Sequence, residues 1–390
     1  MLPVPVIVAK MPSALRAFFR HWLPPDLEAS IAMFRAPDVA PQFQPGGENG
    51  LSHSFRWREL CGWAGEHRLP HLRASRNRHF LVPFEEAVRI AVIIPAYNNA
   101  HYLRECLDSV LGQTCPVSEV IVVDDGSLDN TREVVESYPG PVRYFRQENA
   151  GAPSARNAGV RQTSSPWIAF LDADDRWDPR KIELQVKALE ANPGAILCYT
   201  AVRLFSAEGD GGVLRATPVD RLWPAMRYAN GIALSTVMMR RDAFAAAGGF
   251  DEKLPPCEDW DLWFRLGPGC PMAAVEEPVT LYRLTPTSIS RNIDLMLSAV
   301  NRMLATSLLK DLRGWERWSW RRRAWSAELS RSAITARETG DPRALSLLLR
   351  SLATWPSPWF LPKRWQSLPV YLLRGREGKR RQGGSAPCAH

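Results

Sequence analysis

From residue 89 onward, apolar and polar positions follow one another in a regular succession of strand-like and helix-like segments. β-branched runs such as RIAVIIP (89–95) and SEVIVVDDGS (118–127) are typical of strands buried inside a sheet. The segment between them spaces its apolar side chains as a helix does: Leu103, Leu107, Val110 and Leu111. Strands that alternate with helices in this way predict βαβ units, and hence an α/β fold with a mostly parallel central sheet flanked by helices.

The alternation continues through most of the chain. Further strands are predicted at VRYFRQE, WIAFLD, 195–206, 231–240 and AAVEEPVTLYRL, the last interrupted by Pro278. Further helices are predicted at NTREVVESY, APSARNAGVRQT, PRKIELQVKALEAN, AFAAAGGF and EDWDLWFRL. Beyond about residue 290 the pattern turns helical up to about residue 354, and the GDPRA turn within it predicts a helical hairpin.

The length of 390 residues and an apolar content of 45% suit one large domain with appendages. We expect an irregular N-terminal extension of unknown role at 1–88 and a sheet domain at 89–290. A helical, basic and tryptophan-rich region is expected at 291–374, followed by a disordered tail at 375–390.

Charge is unevenly distributed along the chain. The net charge is +8, yet residues 291–390 alone hold 19 Lys and Arg against 7 Asp and Glu, so the remainder is slightly acidic. Seven of the 15 tryptophans lie between residues 315 and 365. Such a region either contacts an anionic membrane surface or packs as a hairpin on the sheet domain with its arginines solvated. Nucleic acid is not expected as a partner, because no RNA- or DNA-binding motif accompanies the charge.

The sequence contains no run of about 18 or more apolar residues that would predict a membrane-spanning helix. The N-terminus lacks the basic start and the cleavage site of a signal peptide. The seven cysteines form no Cys-x-x-Cys pair, which favours reduced thiols over a zinc site. We therefore expect the protein in the cytoplasm or on the inner face of the cell membrane.

Acidic residues gather where predicted strands end. In FLDADDRWDP, Asp172, Asp174 and Asp175 directly follow an apolar run, where their like charges repel one another. A divalent cation would offset this repulsion, since Mg²⁺ and Mn²⁺ accept oxygen ligands and Mg²⁺ commonly takes one or two carboxylates plus substrate phosphates. The alternative is that these acids cap the following helix, a role that suits Asp178 in particular.

The motif DDGSLDNT places Asp124 and Asp125 at the end of another strand, where they can accept hydrogen bonds from a base or a ribose. A strand–turn–helix junction without a ligand would equally explain Gly126, Ser127 and Asp129. It does not explain why two acids stand side by side at the strand end.

Two further side chains suit a nucleotide. Tyr97 follows the first strand and can stack on a base, and Arg156 in GAPSARNAG can contact a diphosphate or a base. The alternatives are a plain βα turn capped by Asn98 or Asn99, and a tightly packed helix with a surface arginine.

A second acidic cluster comprises Glu258, Asp259 and Asp261 in GGFDEKLPPCEDWDLWFRL. A carboxylate within hydrogen-bonding reach of an acceptor hydroxyl can take its proton as a general base. Acids at the start of a helix also complement its dipole, which would be a purely structural role.

Taken in order, five segments resemble the motifs of glycosyltransferase family 2, the inverting enzymes of GT-A fold: IIPAYN, DDGSLDNT, ENAGAPSARNAG, FLDADD and GGFDE…EDWDLWFRL. The resemblance covers about residues 89–290. It implies a Rossmann-like GT-A sheet, a nucleotide-diphosphate sugar as donor, and Mg²⁺ or Mn²⁺ as cofactor.

The resemblance also assigns roles to individual residues. The nucleotide would be bound by Pro95, Ala96, Tyr97, Asp124 or Asp125, Arg156 and Asp172. Asp172 and Asp174 would form the metal-binding pair, with Asp174 as the direct ligand. Asp259 would be the catalytic base, with Glu258 beside it.

The sequence departs from the family pattern after its last strand. Members often carry Tyr-Arg-x-His there, but Thr285 takes the place of the histidine and is a poor metal ligand. The Gln-x-x-Arg-Trp motif and the membrane helices of the processive polymerases are not found, which favours the transfer of single sugars.

The resemblance predicts a transferase that acts on a hydroxyl of a glycan or a lipid-linked acceptor, in the synthesis of cell-surface polysaccharide. One alternative is a nucleotidyltransferase that makes the sugar nucleotide, although IIPAYNNAHYL lacks the glycine-rich triphosphate loop such an enzyme needs. The other is a non-catalytic protein that binds sugar nucleotides, which the acids at both DADD and ED disfavour.

Overall fold

A nine-stranded mixed sheet forms the centre of the computed structural model, which describes residues 89–285 and 288–371. Its strands are β1 Ile90–Ala96, β2 Glu119–Asp124, β3 Val142–Arg146, β4 Trp167–Phe170, β5 Arg176–Trp177, β6 Leu197–Ser206, β7 Gly209–Leu214, β8 Met238–Arg240 and β9 Met272–Arg283. They lie in the order β3-β2-β1-β4-β8-β6-β9-β5, and β7 pairs with β6 outside this path. The extension at 1–88 and the tail at 375–390 lie outside the described residues.

Helices connect the strands and cover the sheet. They are α1 Ala100–Leu111, α2 Thr131–Glu136, α3 Ala152–Arg161, α4 Lys181–Ala191, α5 Val219–Ala225, α6 Arg241–Ala246, α7 Glu258–Leu266, α8 Ile293–Ala305, α9 Gly314–Thr339, α10 Ala344–Thr354 and α11 at 363–371. The helices predicted from the apolar spacing correspond to α1 to α4, α6 and α7, and are confirmed.

The strands β3, β2, β1 and β4 are mutually parallel, so their carboxyl ends meet at one edge of the sheet. The register pairs Ala96 with Asp124, and Ile93 with Phe170. In the other half, β6 and β9 are parallel, whereas β5, β7 and β8 pair antiparallel with their neighbours. The parallel strands are therefore those that the alternating pattern predicts, and the antiparallel pairs belong to the second half of the chain.

Apolar side chains fill both faces of the sheet. Val92 and Ile94 of β1 belong to the same hydrophobic core as Leu103 and Leu107 of α1, while Ile93 belongs to the core on the opposite face. Successive side chains of a strand point to opposite faces, so a strand covered on both sides must be apolar throughout. This is why β1 and β2 are uninterrupted apolar runs in the sequence.

Helix α3 approaches the sheet closely because Gly159 faces β1 and β2. A Cβ atom at this position would lie 2.6 Å from Ile93 Cγ2 and 3.2 Å from Val123 Cγ2. The absence of a side chain thus sets the depth at which α3 packs, and with it the position of Arg156 on the same helix.

Several expectations about secondary structure differ from the structure. The strand predicted at 231–240 shortens to β8, because Leu234–Thr236 forms a 3₁₀ turn whose Ser235 carbonyl accepts the indole N–H of Trp177 at 2.9 Å. The sequence pattern does not predict β5, which has two residues, or β7, whose exposed GDGGVL sequence has no apolar face. Leu111 was expected among the apolar positions of α1 but is 39% exposed, because it belongs to the last turn of the helix.

Helices α9 and α10 form the predicted hairpin, and Gly340 follows α9 in the left-handed conformation with a φ of +76°. The hairpin packs on the sheet domain: Ala324 of α9 shares a hydrophobic core with Trp260 of α7, and Arg331 donates to the Tyr228 carbonyl at 2.9 Å and lies over the Trp260 ring. The core on one face of the sheet therefore continues past the boundary expected at residue 290, although the C-terminal helices also enclose a smaller core of their own. None of the helices in the described ranges has the length and hydropathy that a bilayer crossing requires.

Candidate active site

The turns that follow β1 and β2 are tied together at the carboxyl edge of the parallel strands. The backbone N–H of Asn98 donates to Ser127 Oγ at 3.0 Å, and the Asn98 side-chain oxygen accepts from the N–H of Leu128 at 2.8 Å. Asn98 adopts a φ of +54°, a conformation that asparagine tolerates better than most residues. The two turns consequently form one surface.

The three residues expected to meet a nucleotide after β1 differ in exposure. Pro95 and Ala96 are the last residues of the strand and are buried, whereas Tyr97 is 47% exposed. Tyr97 is thus the one of the three whose side chain is open to a ligand.

Asp124 ends β2 and is fully buried. Its carboxylate accepts hydrogen bonds from the backbone N–H of Ser127 at 2.7 Å, from Tyr144 Oη at 2.6 Å and from Arg146 Nη1 at 2.9 Å. Burial opposes ionisation, but the hydrogen bonds from Tyr144 and Ser127 outweigh it and lower the pKa of Asp124. The charge of Asp124 is therefore compensated within the protein.

Asp125 is held in the same manner. Its carboxylate accepts from Gln147 Nε2 at 2.7 Å and from the backbone N–H groups of Ala150 and Gly151 at 2.9 and 2.8 Å. Both acids of DDGS thus organise the surrounding turns, and each has one carboxylate oxygen, Asp124 Oδ1 and Asp125 Oδ2, that accepts a single hydrogen bond here and can take a further donor.

Asp129 performs the capping role that the sequence suggested. One carboxylate oxygen accepts from the N–H of Thr131, where α2 begins, and the other from the N–H of Ala100, where α1 begins. Asp178 likewise accepts from the N–H of Arg180, directly before α4.

The carboxylates that follow β4 are compensated unequally. Asp172 is partly exposed and forms an ion pair with Arg156 at 2.6 Å. Asp174 forms no ion pair with a residue that the structure describes. Burial and the negative charge of Asp172 raise the pKa of Asp174 to about 6. The site therefore carries more negative charge than the described side chains neutralise.

Three residues outside the predicted set hold this loop. Asp175 is buried and accepts from Ser235 Oγ at 2.6 Å and from the backbone N–H of Arg283 at 2.8 Å, while Arg283 Nε donates to the Asp174 carbonyl at 2.8 Å. Asp175 therefore serves the loop structurally. Arg283 belongs to the Tyr-Arg segment that ends at Thr285, where the sequence departs from the family pattern. This departure was the signal in the sequence that could have indicated Arg283. Thr285 itself is buried.

Arg156 joins the two acidic motifs. Its guanidinium donates to Asp172 Oδ1 and to Glu258 Oε1, each at 2.6 Å. The Arg156 and Glu258 side chains are only 6% and 8% exposed. Arg156 Nε and Glu258 Oε2 are buried without a hydrogen-bond partner in the structure. The pair therefore retains one buried donor and one buried acceptor for a further hydrogen bond. The surface arginine that the sequence allowed as an alternative is thus a buried bridge.

Asp259 lies beside this bridge in the first turn of α7. Its carboxylate accepts from Asn230 Nδ2 at 2.9 Å and from the backbone N–H of Trp260 at 2.6 Å. Desolvation and the charge of Glu258 raise the pKa of Asp259 to about 7. Asn230 lies in an irregular segment, and nothing in the sequence indicated its contact with the acid.

The third acid of this cluster has a different role. Asp261 is buried and pairs with Arg265 Nε at 2.6 Å, one turn further along α7. The same guanidinium donates to the carbonyls of Ala247 and Gly249. Asp261 thus fixes α7 to the glycine-rich turn before it.

The contacts of Arg156 bring the two acidic motifs together. Its ion pairs with Asp172 and Glu258 place the nearby acids Asp174 and Asp259 at the same end of the sheet. Burial raises the pKa of both Asp174 and Asp259, and the positive charge of Arg156 partly opposes this effect.

A divalent cation fits the Asp172 and Asp174 pair by the chemistry of its donors. Both supply hard carboxylate oxygens, and a cation would neutralise the negative charge of Asp172, which adds to the larger effect of burial in raising the pKa of Asp174. Within the described ranges, no group of three or more His, Cys, Asp or Glu side chains could hold a metal. The pair would therefore need phosphate or water oxygens to complete a coordination shell.

Comparison with known proteins finds similarity to glycosyltransferases. The family model described as glycosyl transferase family 2 matches residues 91–244. A glycosyltransferase of Rickettsia felis is 36% identical over 193 residues, which cover 45% of this chain and 31% of that protein. The chondroitin synthase of Pasteurella multocida is 28% identical over 271 residues, or 64% of this chain and 27% of that protein. The chain spans about a third or less of the length of these two relatives.

Solved structures support the fold. S. aureus TarS 1-349 in complex with UDP-GlcNAc superposes with a TM-score of 0.50 at 17% identity, covering 72% of this chain and 83% of that chain. This likeness shows a GT-A-type arrangement of sheet and helices. The α/β GT-A fold expected from the sequence is thereby confirmed.

Replacing Arg156 by alanine should lower the free energy of unfolding by about 3–5 kcal/mol, because it leaves the buried Glu258 carboxylate without its counter-ion. Adding Glu258→Gln should restore part of this loss, since the unpaired charge is then removed. Urea unfolding followed by circular dichroism measures both effects. As a control, Arg132→Ala removes an ion pair with Glu136 that is exposed on both sides, and should cost less than about 1 kcal/mol. Equal losses for Arg156→Ala and Arg132→Ala would show that the bridge is not a buried charge cluster.

Proposed function

We propose that the chain transfers a single sugar from a nucleotide-diphosphate sugar to a hydroxyl group, with inversion at the anomeric carbon, as the match of residues 91–244 to the glycosyl transferase family 2 model supports. The Arg156 bridge is the observation that carries the proposal, because it joins the donor-side Asp172 to Glu258, the neighbour of the acceptor-side base. A donor and an acceptor hydroxyl must meet at one such point.

The donor nucleotide would lie across the turns after β1 and β2. Tyr97 offers an exposed ring on which a base can stack. Asp124 and Asp125 hold these turns in shape, and their remaining lone pairs can accept from a base or a ribose hydroxyl. Arg156 has an unused Nε–H and would stabilise negative charge on the diphosphate through its field.

Asp259 is the proposed general base. The acceptor hydroxyl gives its proton to this carboxylate while its oxygen forms a bond to the anomeric carbon. The bond from that carbon to the diphosphate oxygen breaks on the opposite face, and the nucleoside diphosphate leaves with the electron pair. The raised pKa of Asp259 suits the task, since a base works best when its pKa lies near the operating pH.

Asp172 and Asp174 would hold Mg²⁺ or Mn²⁺, which when bound acts as a Lewis acid that stabilises charge on the leaving diphosphate. The protein's own part is to keep both carboxylates at the end of β4, through the Arg156 ion pair to Asp172 and the Arg283 contact to the loop backbone.

The acceptor we propose is a hydroxyl of a glycan or a lipid-linked saccharide, used in making cell-surface polysaccharide. The relatives named chondroitin synthase and hyaluronan synthase, both from Pasteurella multocida, support a saccharide acceptor. The match to a family of glycosyltransferases, which spend sugar nucleotides, weighs against the alternative of a nucleotidyltransferase, which would make them.

Replacing Asp259 by asparagine should lower kcat by about 10²- to 10⁴-fold, because a positioned base contributes a factor of this size. Donor binding, measured by calorimetry with the nucleoside diphosphate, should stay within a few-fold of the original. Asp220→Asn provides a matched control, since Asp220 also lies in the first turn of a helix but is exposed. Full turnover in Asp259→Asn would refute the assignment of the base.

The rate should depend on pH through the same group. Because Asp259 acts as a base only when deprotonated, kcat/KM should fall as the pH drops through about 7 and level off above it. Glu258→Gln should move this rise to lower pH, since it removes a like charge and leaves Asp172 as the one acid paired with Arg156 beside the base. A pH profile of both proteins at constant ionic strength measures the shift. A rise centred near the ordinary aspartate value of about 4 would contradict the proposed environment.

A donor screen tests the transferase activity as a whole. The protein is incubated with a panel of nucleotide sugars in Mg²⁺, Mn²⁺ or EDTA, and the released nucleoside diphosphate is measured. We expect release from at least one donor and its loss in EDTA. Asp174→Ala should weaken metal-dependent nucleotide binding by at least the roughly 10- to 100-fold that loss of an outer-shell partner costs. Binding without release for every donor would favour a non-catalytic protein.

A further inference from the structure

Six of the seven tryptophans of the C-terminal region divide into packed and exposed rings, and Trp355 is partly buried. Trp320 and Trp325 pack against the core of the sheet domain, and Trp365 packs against a smaller core within the C-terminal helices. Trp315, Trp318 and Trp359 instead remain 71%, 43% and 70% exposed. Packing of the hairpin therefore explains some of these rings and leaves others on the surface.

The exposed rings on α9 form one continuous patch with their neighbours. Trp315 and Trp318 stack with their ring centroids 4.5 Å apart, and Trp355 meets Trp318 edge-on at 6.2 Å. Arg322 lies over the Trp318 ring at 5.1 Å and donates to the Thr354 carbonyl. We call Trp315, Trp318, Arg322 and Trp355 the tryptophan patch. It is held in place by contacts from two helices of the hairpin, so it is an ordered surface.

Positive charge surrounds the tryptophan patch. The stretch 313–323 contains five arginines and one glutamate. Arg321 is exposed one turn from the patch, and Arg323 lies over the ring of Trp355 at 4.9 Å. A partner with dispersed negative charge and an apolar layer beneath it would match both features.

We propose that the tryptophan patch docks the protein on the surface of an anionic phospholipid bilayer. Indole rings would enter the headgroup layer, where an amphipathic ring is favoured, and the arginines would contact lipid phosphates. Docking of this kind places the protein on the membrane without crossing it. It would also hold the proposed site near lipid-linked acceptors, and only this last point rests on the proposed function.

The geometry favours lipid over single-stranded nucleic acid. A base stacks on a free aromatic face, but Trp315 and Arg322 already lie over the Trp318 ring. A headgroup layer makes no such demand, because it accepts ring edges and alkyl stems as readily as faces.

Vesicle sedimentation tests the proposal with the full chain. We expect binding to vesicles of phosphatidylcholine and phosphatidylglycerol, weak binding to phosphatidylcholine alone, and a marked decrease at high salt. The double variant Trp315→Ser/Trp318→Ser should reduce binding about tenfold or more. Arg321→Gln should reduce it about fivefold, the effect of one basic residue near an anionic surface.

Matched controls are available on other parts of the surface. Leu214→Ser removes an exposed apolar side chain of β7, and Arg132→Gln removes an exposed charge of α2; both should bind vesicles like the original protein. Thermal unfolding of each variant identifies any that fail to fold. Lipids with brominated chains should quench tryptophan fluorescence in the original protein and markedly less in the double tryptophan variant, which reports ring insertion independently of sedimentation.

Two results would overturn the proposal. One is vesicle binding that is unchanged in the double tryptophan variant. The other is absence of vesicle binding together with tryptophan-dependent binding of a single-stranded RNA oligonucleotide, which would assign the patch to nucleic acid. Because these assays contain no sugar nucleotide, failure here is separate from failure of the proposed transferase, whose donor hydrolysis is measured without lipid.

Discussion

The candidate site depends on the bridge that Arg156 makes between Asp172 and Glu258. A buried cation of this kind is stable only while both of its carboxylates are in place, since each charge removes the cost of burying the other. The bridge therefore couples the loop after β4 to the start of α7. Gly159 lets α3 pack closely on the sheet, and this depth sets the position of the Arg156 guanidinium. The bridge therefore depends on backbone packing as well as on charge.

The acids at the carboxyl edge show how the protein distributes negative charge. Asp124 and Asp125 each accept three hydrogen bonds, Asp175 is held by Ser235 and Arg283, and Asp261 is paired with Arg265. Asp174, Asp175 and Asp259 all have raised pKa values, but Asp175 is buried, whereas Asp174 and Asp259 are partly exposed. Residues that must respond to a ligand or a proton are thus set apart from acids of identical chemistry that only hold the loops.

The sequence predicted the parallel strands because they are buried on both faces, and the hairpin because Gly340 and Pro342 interrupt a helical pattern. It also offered Asp129, beside Ser127, as a cap of the next helix, and the contact of Asp129 with Thr131 is local. It could not show that Tyr144 and Arg146 donate hydrogen bonds to Asp124, because these contacts depend on the pairing of β2 with β3. Asn230 was missed for a similar reason: an irregular segment carries it to Asp259, and no periodicity describes such a segment. The family resemblance named Arg156 but not its partners.

The contact of α9 with α7 determines how short an active fragment of this protein can be. The match to the family model ends at residue 244, ahead of the proposed base, and the helix that carries Asp259 packs through Trp260 against Arg331, far along the chain. A fragment that ends with this match would lack Asp259. A fragment that ends at residue 290 would lack Arg331, which lies over the ring of Trp260 next to Asp259. Substitutions in α9 can therefore alter turnover by changing how α7 is packed, although α9 contributes no proposed reacting group.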